Sequence, residues 1–377
     1  MDWPAWRDEF PTFRRKTYLN TCSLAPLSNR VRAAQERFLD EWEDLGAAAW
    51  YEMWMDALDA LRRKVARVLH AAPEEIAVAP SVSVALSAVA SSLDYGSRPR
   101  VVLSEMDFPT LAYQWAVKPG VDQVWVSSED RVSVPPERFE AAADRLTSVL
   151  ATSHVYYTSG AIQDIARIGR AARRVGALSV IDAYQATGQV PTDVHEAGID
   201  VLVTGGLKWL LGGTGIAFLY VRRGLIPSLR PTIAGWFGNA RMFSFDPKAF
   251  AFHDSARRFE LGTTANAAVY AASAGLDIVL EIGVERIRDR TTELVTDLVD
   301  RLEEARFDVR TPREPGQRAG IVMVAAKEPA KVVEFLGKRG TIVDYRHDRV
   351  RISPYFYNTP EDNAFVVEAL EAERSRR

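Results

Sequence analysis

The chain is 377 residues long, room for roughly two domains of about 150 residues each, and 47% of it is hydrophobic, which excludes disorder as its dominant state. Its 47 Lys+Arg face 50 Asp+Glu, a formal net charge of -3, so no overall basic field draws nucleic acid and no nucleic-acid partner is expected. The single cysteine, Cys22, excludes an internal disulfide framework and a zinc site of clustered cysteines, and it fits a reducing, cytoplasmic setting.

The N-terminal residues Met1-Asp2-Trp3-Pro4-Ala5-Trp6-Arg7-Asp8-Glu9 are acidic and Trp-rich, without the basic start and apolar core of a signal peptide. From about Trp42 to Leu69 apolar residues recur at helical spacing among charges, as at Leu58, Leu61, Val65 and Val68, which predicts a surface helix. Pro73-Glu74-Glu75 interrupts it, Ile76-Ala77-Val78 reads as a short strand, and a second helix follows from Ser83. The stretch Ile76 to Leu93 is uncharged, but Pro80 and its serines make it a poor bilayer span, so no membrane partner is expected.

Short β-rich runs then alternate with helical ones: Val101-Leu103, Val124-Val126, Val149-Ala151, Leu178-Ile181, Val201-Val203 and Ile216-Val221. This alternation predicts an α/β fold, a large domain with a mostly parallel mixed sheet between helices. After Gly262 the texture becomes one long helical segment from about Ala265 to Glu304. A smaller C-terminal α+β domain follows, with strands at Gly320-Val324, Thr341-Asp344 and Val350-Ser353 and a last helix from about Pro360. The expected division is a large domain over 15–262, with 1–14 and 263–377 forming the N-terminal segment and the smaller domain.

The most informative stretch is Ser179-Val180-Ile181-Asp182-Ala183-Tyr184-Gln185, followed one strand later by Gly205-Gly206-Leu207-Lys208-Trp209. Asp182 stands at the C-terminal end of an apolar strand, where α/β sheets place ligand groups, and Lys208 follows the next strand. Adjacent parallel strands would bring this carboxylate and this amine over one crevice. The pair suits pyridoxal 5′-phosphate: a lysine amine condenses with the aldehyde, and a buried carboxylate keeps the pyridine nitrogen protonated. Taken alone, Asp182 also reads as a strand-end cap and Lys208 as a solvated loop residue.

In combination and order these residues resemble the class V aminotransferase family of fold type I pyridoxal-phosphate enzymes, which includes cysteine desulfurases, kynureninases and isopenicillin N epimerase. The resemblance runs from Tyr18-Leu19-Asn20 to Tyr357-Asn358-Thr359. It implies that Lys208 is the catalytic Schiff-base lysine, that Asp182 partners the pyridine nitrogen and that Gln185 bonds the phenolic oxygen. It also implies that Ser83 and the Val82 backbone, at a helix N-terminus in Ala79-Pro80-Ser81-Val82-Ser83, hold the phosphate. Thr263, in Arg258-Phe259-Glu260-Leu261-Gly262-Thr263, would reach the phosphate of a neighbouring subunit, implying a homodimer with shared active sites. Arg351 would hold the α-carboxylate of an amino-acid substrate through its planar guanidinium. The other reading of Arg351 is a surface ion pair with Asp344 or Asp348. Asn20, Tyr157 and Trp236 would complete the substrate side, and no metal is expected.

Departures sort the subfamilies. In Glu105-Met106-Asp107-Phe108-Pro109-Thr110, Phe108 stands where desulfurases stack a histidine, so it would hold the cofactor ring without transferring protons; it also reads as plain core. Phe108-Pro109-Thr110, Tyr156-Tyr157-Thr158-Ser159-Gly160 and Gly235-Trp236-Phe237-Gly238 look more like kynureninase, whereas Gln185 is desulfurase-like. Gly205 stands where several relatives carry a phosphate-binding hydroxyl, which Thr204 would have to supply. Between Arg310 and Arg351 no cysteine is present to take sulfur as a persulfide, and Cys22 reads as a packed residue.

The favoured function is an enzyme that binds an α-amino acid as an external aldimine and acts at Cβ, as a carbon-sulfur or kynureninase-like lyase without a persulfide-forming cysteine. The alternative is an aminotransferase or epimerase of the same family, the latter suggested by Lys208-Trp209-Leu210. A third reading, a cofactor-free α/β binding module, would make the ordered set of motif residues a coincidence.

Overall fold

The computed structural model describes residues 1–376. A short strand, β1 (Thr17–Tyr18), opens the chain after two N-terminal helical turns. The helix expected from Trp42 to Leu69 is two helices, Asn29–Leu45 and Met55–Leu69, separated by 3-10 and π turns. Gly46 ends the first with φ 53°, a left-handed angle that glycine adopts without a Cβ clash. The second is not confined to the surface. Leu58, Leu61 and Val65 enter the core, and Arg62 is buried against Glu260.

The central sheet is built from β2 (Ile76–Ala79), β3 (Arg100–Ser104), β4 (Asp122–Val126), β5 (Thr147–Ser153), β6 (Leu178–Asp182), β7 (Val201–Gly205) and β8 (Ala217–Val221). Its order is β2-β8-β7-β6-β5-β3-β4. β8 runs antiparallel to both neighbours and every other pairing is parallel. Strands such as β7 and β8 are apolar throughout because both faces are covered. On one face Val82, Leu86 and Leu111 pack against the sheet. On the other lie Leu61, Val65, Ile168 and Leu276. This is the expected α/β architecture with a mostly parallel mixed sheet between helices.

The long helix expected from Ala265 to Glu304 is also two, Asn266–Ile282 and Val284–Glu304, which meet at 80°. Gly283 carries the change of direction with φ 90°. Val269, Ala272 and Leu276 of the first helix join the core beside the sheet. Val295, Leu298 and Leu302 of the second join a separate core with Leu19, Val322, Val350 and Val366. That second core is formed on β9 (Val322–Ala325), β10 (Thr341–Ile342), β11 (Asp344–Arg346), β12 (Arg349–Ile352) and the last helix, Pro360–Arg374. β11, β12 and β9 form an antiparallel sheet, while β10 pairs with β1 in parallel. Among the described residues no single helix is long and apolar enough to cross a membrane.

Candidate active site

β6 and β7 are parallel neighbours with Asp182 opposite Val203, so the end of β6 and the turn after β7 share one edge of the sheet. Asp182 is buried and its Oδ1 accepts a hydrogen bond from the Tyr184 N–H at 2.9 Å. Burial pushes its pKa up, opposed by that hydrogen bond and by the charge of Lys208. Burial likewise pushes the Lys208 ammonium down to about 8, and the charges of Arg351 and Arg346 act in the same direction against those of Cys22 and Asp182. The lysine Nζ lies 4.2 Å from the centroid of the Tyr184 ring. An amine so placed carries a larger share of the nucleophilic free base at neutral pH than a solvated lysine does.

Asp182 and Lys208 line a cavity of about 330 Å³ together with Val82, Ser83, Phe108, Tyr157 and Gln185. Seven of the residues singled out from the sequence are thus gathered in one place. Ser81 caps the helix Val82–Ser91, its hydroxyl accepting from the Val84 N–H at 3.3 Å, and the first N–H groups of that helix remain for a ligand. The Ser83 hydroxyl meets that of Thr110 at 3.0 Å. Thr110 belongs to the first turn of Pro109–Ala116, so two helix N-termini converge there. The sequence reading passed over Thr110, although Pro109 directly before it marks a helix start. Phe108 is 46% exposed and meets Tyr157 edge-on at 5.3 Å, so it is a wall of the cavity rather than plain core.

The orientation of Gln185 follows from its neighbours. The Trp209 indole can only donate, and it donates to Oε1 at 2.8 Å, while Nε2 donates to the Cys22 carbonyl at 2.9 Å. A second N–H of the amide is left for a ligand. Tyr184 and Asp107 were also passed over. Asp107 is buried behind Phe108, where its carboxylate accepts from the N–H groups of Ser104 and Ser153 at 3.0 and 2.7 Å. It thereby ties the turn after β3 to the end of β5. Burial raises its pKa to about 7 against those hydrogen bonds, and the charge of Asp182 adds to the rise.

Four expected residues do not line this cavity: Asn20, Trp236, Thr263 and Arg351. Asn20 bridges to Ser353 through its backbone. Trp236 borders a separate, open cleft of about 580 Å³, and Thr263 is exposed. Arg351 is buried behind Ser23 and Tyr157 and pairs with the half-buried Asp344 at 3.1 Å, in place of the surface pair considered from the sequence. Thr204 is buried and gives its hydroxyl to the Ala183 carbonyl at 3.4 Å, outside the cavity. His154 is a core histidine, pushed down to about 4 by burial. Cys22 is a free, fully buried thiol.

Comparison with known proteins agrees with this geometry. The family model described as Aminotransferase class-V matches residues 17–363. An uncharacterized aminotransferase of Bacillus subtilis, YcbU, is 35% identical over 97% of both chains. A kynureninase of Geobacillus thermodenitrificans is 27% identical over 97% of this chain and 90% of its own. Among solved structures, an apo cysteine desulfurase from Thermococcus onnurineus superposes with a TM-score of 0.88 at 22% identity, over 97% of this chain and 96% of that one. A mutant of C-DES, with glycine covalently linked to its pyridoxal-phosphate cofactor, gives 0.89 at 19% identity over 97% of this chain and 98% of that one.

The cavity fits pyridoxal phosphate on its own chemistry. It offers one amine of lowered pKa, one buried carboxylate, an amide N–H, a flat aromatic face and a helix N-terminus ringed by the hydroxyls of Ser81, Ser83 and Thr110. Lys208 would hold the aldehyde carbon, Asp182 the pyridine nitrogen, and the helix start the phosphate.

Proposed function

Since the chain belongs to the class V aminotransferase family of pyridoxal-phosphate enzymes, we propose that it acts on an α-amino acid at Cβ, as a carbon-sulfur or kynureninase-like lyase. When bound, the cofactor supplies a carbonyl carbon for amines and a ring that takes up the electron pair left when a bond to the substrate Cα breaks. The residues divide the remaining work. Lys208 moves the proton at Cα, since Phe108 at the cavity wall carries none. Asp182 keeps the pyridine nitrogen protonated, Gln185 donates to the phenolic oxygen, and Val82 with Ser83 hold the phosphate. Arg351 binds the α-carboxylate from behind Ser23 and Tyr157, and Tyr157 bounds the substrate.

The observation that carries the Cβ reading is the aromatic wall of Phe108 and Tyr157 in the cavity that holds Lys208, which suits a bulky or conjugated side chain. The kynureninase relatives support it, and the only thiol in the chain, Cys22, is buried and hence a poor sulfur acceptor. The test is to add L-kynurenine, L-cysteine and cysteine S-conjugates to the holoenzyme and assay the products. Alanine or pyruvate is expected. Accumulation of a keto acid with the amine form of the cofactor would instead establish the second reading, an aminotransferase, which the likeness to YcbU favours.

The same reading makes the enzyme a cytoplasmic homodimer with shared sites. Trp236, Phe243, Phe245 and Tyr51 form an exposed aromatic cluster that a second copy would cover. Thr263, exposed and outside its own cavity, is free to serve the neighbouring site. Size-exclusion chromatography with light scattering checks this, and a monomer at micromolar concentration would overturn it.

A further inference from the structure

Asp344 and Arg351 face each other across the β11–β12 pair, and Arg346 lies two residues along β11, on the same face as Asp344. Their side chains converge on a single atom. Asp344 Oδ2 accepts from Arg351 Nη2 at 3.1 Å and from the Ser23 hydroxyl at 2.8 Å, and it forms an ion pair with Arg346 Nη1 at 2.7 Å, a nitrogen that also donates to the Tyr345 carbonyl at 2.6 Å. Arg351 Nη2 also donates to the Ser23 hydroxyl at 2.7 Å, while its buried Nε has no hydrogen-bond partner. The Nε–Nη2 edge, one of the two that can grip a carboxylate with parallel bonds, is thus half used, and the used half is held by Asp344.

Two arginines against one carboxylate leave a surplus of one positive charge beside the cavity. Ser23 and Tyr157, which contact Arg351, line that cavity, and the charges of both arginines reach Lys208. The Arg351 side chain is 2% exposed, whereas that of Arg346, at 35%, reaches solvent.

We propose that Asp344 is a resident carboxylate shared between the two arginines, and that Arg346 takes it over when the carboxylate of an amino acid binds Arg351. Arg346 is then a positioning residue that sets affinity for the α-carboxylate without touching the reacting atoms. The inference rests on the assignment of Arg351 in the reading above. With Arg346 removed, Asp344 stays on Arg351 and repels the incoming anion. With Asp344 removed as well, Arg351 is free and Arg346 has nothing left to do.

The test titrates the holoenzyme with L-alanine, L-cysteine and L-kynurenine, following the visible band of the bound cofactor, and repeats it with L-alaninamide, which lacks the carboxylate. For Arg346→Gln the apparent Kd and KM for amino acids rise about tenfold or more while kcat stays within about twofold. The double variant Asp344→Asn/Arg346→Gln returns to within about threefold of wild type, and alaninamide binds all forms alike. Thermal melting of each variant separates a folding defect from an affinity change. An unchanged Kd in Arg346→Gln, or no recovery in the double variant, overturns the inference. If Arg351→Gln itself binds amino acids like wild type, or if wild type responds to none of them, the assignment of Arg351 or the proposed function fails instead.

Discussion

The ring of Tyr184 lies where a side chain on Gly205 would stand. A Cβ built at Gly205 would fall inside the van der Waals radii of Tyr184 Cζ, Cε2 and the hydroxyl oxygen. The absence of a hydroxyl at position 205 is therefore no gap in the site, because an aromatic side chain from the neighbouring strand end fills it. Gly205→Ser is expected to displace the Tyr184 ring from beneath Lys208 and to weaken cofactor retention by about tenfold, read as the apparent Kd for pyridoxal phosphate in apoprotein titrations. Tyr184→Ala/Gly205→Ser should recover part of the loss by making room.

Lys208 titrates near 8 because burial disfavours its charge. Its free-base fraction therefore rises about tenfold per pH unit below that value and levels off above it. The rate at which apoprotein takes up pyridoxal phosphate should follow this curve, measured by the growth of visible absorbance from pH 6 to 9. The same shift bears on stability. A lysine whose folded pKa is lowered destabilises the fold below about pH 8 and ceases to do so as pH rises towards the ordinary lysine value. Apo Lys208→Met should therefore melt higher than apo wild type at pH 7, with the gap closing above pH 8, and it should show no turnover.

Asp107 accepts backbone N–H bonds on different oxygens, Ser153 on Oδ1 and Ser104 on Oδ2. An asparagine has only one acceptor oxygen, so one N–H would face an NH₂ group. Asp107→Asn is expected to cost about 1–3 kcal/mol of stability in urea denaturation. It should also loosen Phe108, seen as a weaker cofactor band.

Glu260 is buried and takes both Arg62 and the Val78 N–H. Arg62→Ala would leave that carboxylate uncompensated, with an expected loss of about 3–5 kcal/mol. Because Glu260 anchors the segment leading to Thr263, the variant should also weaken the proposed homodimer, measured by analytical ultracentrifugation.

The sheet and the heart of the site were legible because their signals are local. Apolar runs such as Val201-Leu202-Val203 are strands wherever both faces are covered; Asp182 ends one such strand and Lys208 stands in the turn that follows another. What escaped depends on contacts distant in sequence. Thr110 matters only because Ser83 lies opposite it, Tyr184 because Gly205 makes room, and Arg346 because it meets Asp344 beside Arg351. Two helix breaks were hidden for another reason. Apolar spacing continues across Gly46 and Gly283, and only their left-handed backbone angles reveal that the chain turns.

The 80° corner between Asn266–Ile282 and Val284–Glu304 has no loop in it. The two cores are therefore phased by one residue, as a keyed shaft is, rather than joined by a linker. Inserting a single residue beside Gly283 would turn everything beyond it by about 100° about the second helix axis and advance it by about 1.5 Å. The core around Leu298 and Leu302 would turn with it and part from Leu19, and β11 and β12 would carry Asp344, Arg346 and Arg351 away from Ser23. The length of chain at this corner is as much a part of the proposed carboxylate site as the arginines are.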